Sequence, residues 1–136
     1  MSIVNIRAAL ENRLNAMTPS LATAWEGVPY TPINGTAYQQ VNVLYADSEN
    51  PTIGDAMFRQ NGIMQVLLAY PPGTGAKAAA TRAELVRSWF PRGLGLSSNG
   101  TDVLIDRTPS IAPAIIDSDR YKVPVSIYFT VDIFPT

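Results

Sequence analysis

The chain has 136 residues and neither cysteine nor histidine, which excludes disulfide staples, thiolate nucleophiles, the commonest general base and the commonest zinc ligand. Its length is that of one domain, 1–136, able to bury roughly 68–70% of its unfolded surface around one core. Ten basic residues against eleven acidic ones leave a net charge of −1. The cations, mostly arginine, are scattered instead of forming the basic stripe that duplex binding needs.

A charged fraction of 15% beside 46% hydrophobic residues predicts a surface that expects partners. Arginine suits desolvated pairs at such surfaces. No apolar run reaches the ~18–20 residues of a membrane span. The start, Met1 to Asn5, lacks a basic region followed by an apolar stretch. The expectation is therefore no signal peptide, no membrane association and synthesis in the cytoplasm.

From Ser2 to about Ala16 the spacing of Ile3, Ile6, Leu10, Leu14 and Met17 predicts an amphipathic helix, with Ser2 as its cap and Pro19 as its stop. Thr18 to Tyr38 reads as irregular, because Pro19, Pro29 and Pro32 oppose regular structure. Trp25 and Tyr30 lie within it, and either cap one end of the core or anchor a neighbouring subunit. Tyr38 to Ala46 alternates as a strand. Asp47 to Asn61 reads as a long polar connection that holds Met57 and Phe58. Gly62 to Tyr70 is apolar on both faces and is predicted to be the central strand.

Pro71 to Gly75 breaks that strand, and Thr74 to Phe90 follows as a second helix with Ala79, Ala83, Val86 and Phe90 on one stripe. Asn99-Gly100 marks a hairpin between Leu94–Ser98 and Thr101–Asp106. Ile111 to Asp117 reads as a short edge or bulged strand between prolines, and Asp117-Ser118-Asp119 as a turn. The clearest signal is the closing strand, where Val123, Val125, Ile127, Phe129, Val131 and Ile133 alternate with polar residues. The elements give an α+β fold of order α-β-β-α-β-β-β, with a largely antiparallel sheet of about five strands and two helices packed on one face.

No motif carries catalytic chemistry. Pro72-Gly73-Thr74-Gly75-Ala76-Lys77 joins a strand to a helix, but the residue after Lys77 is Ala78, and a phosphate loop needs a hydroxyl there for magnesium. Asp102, Asp106, Asp117 and Asp119 lack the spacing and the glycine and glutamate of a calcium loop, so they read as turn residues. No spacing singles out a serine with Lys77 or Lys122, or a pair of carboxylates, as a reactive set. The expectation is no enzyme, no cofactor and no metal.

Several segments together resemble the tail terminator-like family of long-tailed bacteriophages, which includes tail completion proteins. They are Ile6-Arg7-Ala8-Ala9-Leu10-Glu11, Thr23-Ala24-Trp25-Glu26, Pro29-Tyr30-Thr31-Pro32, Gly62-Ile63-Met64-Gln65-Val66, Tyr70-Pro71-Pro72-Gly73-Thr74-Gly75, Phe90-Pro91-Arg92-Gly93, Pro109-Ser110-Ile111-Ala112-Pro113 and Pro124-Val125-Ser126-Ile127. They occur in the family's order and span nearly the whole chain.

The resemblance implies a virion structural protein that forms a homo-hexameric ring at the head-proximal end of the tail. The ring caps the tail tube, stops its polymerisation and offers a surface to the head–tail connector or stopper protein, while DNA passes through the lumen without sequence-specific binding. A head–tail connector or stopper subunit is one alternative. A small hydrolase or ligand-binding domain is another, of a different class. The residues themselves offer candidate subunit or tube contacts: Arg7, Glu11 and Arg13 on the first helix, Trp25 and Tyr30 in the loop, and Met57, Phe58 and Arg59 in the long connection.

Overall fold

The computed structural model describes every residue except Met1, Asn34, Thr52, Asp55, Ala56, Gly73, Thr74, Gly75, Ser118, Asp119, Pro135 and Thr136, and places Ser2 and Asp117 by backbone alone. In chain order the elements are α1 (Ser2–Asn15), β1 (Ala22–Ala24), β2 (Tyr38–Tyr45), β3 (Phe58–Tyr70), α2 (Ala76–Trp89), β4 (Gly95–Ser98), β5 (Thr101–Ile105), β6 (Ser110–Ile111), β7 (Ile115–Asp117) and β8 (Arg120–Ile133). The proposed Ser2 cap, the turn at 117–119 and the glycines of the phosphate-loop-like segment lie outside the described side chains or residues.

The closing strand organises the sheet. β8 pairs antiparallel with β3 along its whole length, from Phe58 opposite Ile133 to Tyr70 opposite Tyr121. Its other edge is shared by β5, β6 and β7 in succession. The strand order is β1-β2-β3-β8-β5-β4, which makes β3 central, as its two apolar faces predict. The period of two puts Met64 opposite Ile127 and Val66 opposite both Val125 and Val41. These side chains all point to one face and are buried.

Both helices cover that face. Ile6, Leu10 and Leu14 of α1, together with Met17, are buried against it. So are Ala79, Ala83 and Val86 of α2, together with Phe90. Ile3, assigned by spacing to the same stripe, is exposed because it lies a turn beyond the core. Arg82 is buried on α2 and donates to the Pro19 carbonyl, which ties the segment after α1 to the second helix. Burial pushes its pKa below the ordinary arginine value.

The sheet differs from the sequence expectation in three ways. Among the described residues it has eight strands, not about five. The stretch 18–38 contains β1, which pairs parallel with the start of β2 through Ala22 opposite Tyr38, so the sheet is mixed. Three residues of Ala and Thr carry no readable alternation, so only the pairing reveals this strand. Second, β3 begins at Phe58, four residues before Gly62. Phe58 and Arg59 therefore belong to a strand, and Glu49 bridges Arg59 across the connection. Third, the segment 111–117 is two strands separated by Pro113, since proline cannot donate to a ladder. The Asn99-Gly100 hairpin forms as expected, with Ser98 opposite Thr101 and positive φ at both turn residues.

Candidate interaction surface

The first candidate group assembles around the middle of α1. Arg7 Nη1 lies 3.3 Å from Glu11 on the same helix and 3.0 Å from Glu26 in the loop after β1. Glu26 Oε1 also accepts the Val43 amide at 3.0 Å, just beyond the point where β1 stops covering the outer edge of β2. One carboxylate thus closes a sheet edge and clamps α1 to it. The Val43 hydrogen bond, and then Arg7, hold the Glu26 pKa below its ordinary value. Tyr45 comes up beside this group with its hydroxyl buried. Burial pushes its pKa up, and Arg7 pulls it partly back.

Trp25, Glu26 and Val28 form a ridge with a trough on each side. One trough, 360 Å³, lies between the ridge and Arg7, Glu11 and Asn12 of α1. The other, 320 Å³, runs along β2 between Trp25, Tyr30, Tyr38 and Asn42. Trp25 packs its inner side on the core. Tyr30 stacks on Tyr38 with centroids 5.2 Å apart, and the Arg120 guanidinium lies over the Tyr38 ring at 5.1 Å. Arg120 also donates to the carbonyls of Ile33 and Thr36, which holds the proline-rich loop against the base of β8. Both aromatics are half-buried, so they meet the core and keep one side in solvent.

Arg13 lies apart from this group. Its Nε donates to the Trp89 carbonyl at 2.9 Å, and its guanidinium covers the Trp89 ring at 4.7 Å. This satisfies an orphan carbonyl at the C-terminus of α2 and complements that end of the helix dipole. Met57, Phe58 and Arg59 lie together at the start of β3, far along the sheet from β1. Met57 and Phe58 are half-buried, and Arg59 grips Asp132 across the β3–β8 pair at 2.7 Å. The candidate residues therefore fall into two surfaces, with Arg13 between the helices.

The structure adds residues that spacing did not single out. Next to Arg59, on the sheet face away from the helices, Asn61 donates to Glu49 at 2.6 Å, and Thr130 lies 2.9 Å from both Asn61 Oδ1 and Asp106 Oδ2. Arg107 lies over the Tyr128 ring at 4.6 Å and reaches Asp106 only at 3.9 Å. These residues line an open trough of 380 Å³. The polar half of the β8 alternation places Tyr128, Thr130 and Asp132 here; their partners come from distant segments and carry no sequence signal. Among the described residues no group of histidine, cysteine, aspartate and glutamate is placed to hold a metal ion. No described helix is long and apolar enough to cross a membrane. Two half-exposed carboxylate–arginine groups and a row of half-buried aromatics are what contact surfaces are made of.

The sequence pattern of the phage tail terminator proteins matches residues 5–129. The chain belongs to the phage tail terminator protein family. Membership puts it among the structural proteins of phage tails. The match takes in both aromatic loop residues, the Arg7 group and the β3–β8 pair as far as Phe129.

Two solved structures share the fold. One is 29% identical with a TM-score of 0.78, and the match covers 96% of each chain. The other is a chain from the virion of a native gene transfer agent (GTA) particle, 15% identical with a TM-score of 0.68, covering 97% of this chain and 98% of that one. No curated protein sequence matches the chain.

Proposed function

We propose that this protein is the tail terminator of a long-tailed phage. It forms a ring, a homo-hexamer, on the last ring of the tail tube at the head-proximal end. There it removes the surface on which another tube ring would add, and presents a new surface to the connector or stopper protein of the head. Its place is the virion, it acts by contact and not by catalysis, and DNA passes through its lumen without sequence-specific contacts. The observation that carries this reading is the terminator-family match over residues 5–129. A fold neighbour drawn from a virion particle agrees with it.

Arg7, Glu11, Trp25 and Tyr30 on one surface, and Met57, Phe58 and Arg59 on the other, are the proposed subunit and tube contacts. Arg13 contributes by holding the two helices in position.

Disrupting the reading frame in the phage tests the function. The expected result is abnormally long tails without heads. Tails of normal length that join heads normally would rule capping out. Labelled protein found inside the head or below the first tube ring would rule it out equally.

A further inference from the structure

We propose that the uncovered face of the sheet is the seat for the solvent side of α2 from a second copy of this chain. The inference rests on the ring reading above and names the two patches that meet.

Both helices pack on one face of the sheet; the opposite face has no helix over it among the described residues, and the loop that carries Tyr30 lies against it at its Tyr38 end. Leu44, Ile63 and Tyr128 stand in register across β2, β3 and β8 on that open face. Leu44 is 56% exposed, and Leu104 on the neighbouring strand is 46% exposed. Apolar side chains in one row on an uncovered face are surplus to a single chain.

Charge says what covers them. At the end of this row the carboxylates of Glu49 and Asp106 are held by neutral groups, Asn61 and Thr130. The cation nearest Asp106 is Arg107, at 3.9 Å, and Arg59 is taken up by Asp132. Glu49, Asp106 and Asp132 against Arg59 and Arg107 leave a surplus of negative charge.

The other side of the molecule carries the complement. The solvent side of α2 and the turn after it expose Lys77, Arg87 and Arg92 against Glu84. None of these three cations has an ion-pair partner among the described residues. Ala76, Ala78 and Ala80 are exposed on the same helix and keep its profile low, so its backbone can approach a flat sheet. The helix and the open face lie on opposite sides of one chain. A contact between them is therefore heterologous and repeats head to tail, the only kind that closes a ring of more than two copies by one repeated interface. Rim charges of this sort set register and partner choice.

Two charge-reversed variants test it. Arg87→Glu with Arg92→Glu makes the helix acidic. Glu49→Lys with Asp106→Lys makes the face basic. By mass photometry each variant alone should assemble at least tenfold more weakly than wild type. An equimolar mixture should recover rings, because the acidic helix of one variant seats on the basic face of the other, and the basic helix on the acidic face. Rings formed normally by either variant alone overturn the proposal. So does a mixture that stays dispersed while both variants keep wild-type circular dichroism and melting. Wild-type protein that never closes a ring, alone or on purified tubes, would instead sink the terminator reading and this contact with it.

Discussion

Gly62 sits mid-strand, where glycine ordinarily weakens a ladder. Its reason is on either side of it: Tyr45 and Phe129 are its partners on β2 and β8, and their rings meet edge to face at 6.2 Å. A Cβ at this position would lie 2.4 Å from the Phe129 ring and 2.6 Å from the Leu44 carbonyl oxygen. The ring can shift by a few tenths of an ångström, but a backbone carbonyl within a paired strand cannot. Gly62→Ala should therefore destabilise the protein by about 3 kcal/mol, the upper end of overpacking costs, seen as a lowered urea midpoint.

Glu26 makes a different prediction, in pH. Its folded pKa is depressed below the ordinary 4.5 by the Val43 amide and Arg7. Its contribution is thus fully present above the unfolded carboxylate pKa and is lost as pH falls through the lower folded value. Glu26→Gln removes that charge, so the stability gap between wild type and variant should narrow from pH 7 to pH 3. A gap that stays constant in denaturation curves at the two pH values would show that the clamp does not depend on the carboxylate.

Elements with a long period were legible. The α2 stripe of Ala79, Ala83, Val86 and Phe90 is buried throughout, and the odd positions of β8 from Val123 to Val131 line the core. The Asn99-Gly100 turn was legible for a chemical reason, because few residue pairs tolerate positive φ twice in succession. What escaped was structure made by partners and not by pattern. β1 is a strand only because β2 lies alongside it, and β6 and β7 are strands only because β8 offers a free edge. The first residues of β3 read as loop, since Arg59, Gln60 and Asn61 are polar. Yet Gln60 is buried, its amide donating to the Ala46 carbonyl at 2.6 Å, and Arg59 is paired across the strand.

The candidate contacts were legible as residue types and not as groups. Arg7 with Glu11 follows from helical spacing. That Glu26 joins them, that Arg13 serves Trp89, and that Asp106 comes beside Thr130 depend on tertiary distances no spacing encodes.

In the whole molecule two layers share one core, and among the described residues no helix lies on the sheet's second face. That division separates the face that holds the fold from the face proposed above for assembly. Its hinge is β8, bonded to β3 on one side and to three short strands on the other. No amide in the middle of such a strand can reach water by fraying at an edge. In deuterium the backbone protons from Val123 to Val131 should be the last to exchange, at a rate set by opening of the entire chain. Those at the ends of β4 and β7 should go orders of magnitude sooner. Fast exchange in mid-β8 would mean that the sheet can part along its longest seam. If the seam holds, slowing of exchange elsewhere when copies join reports the new contacts alone, and this one strand becomes the internal clock against which every other segment is timed.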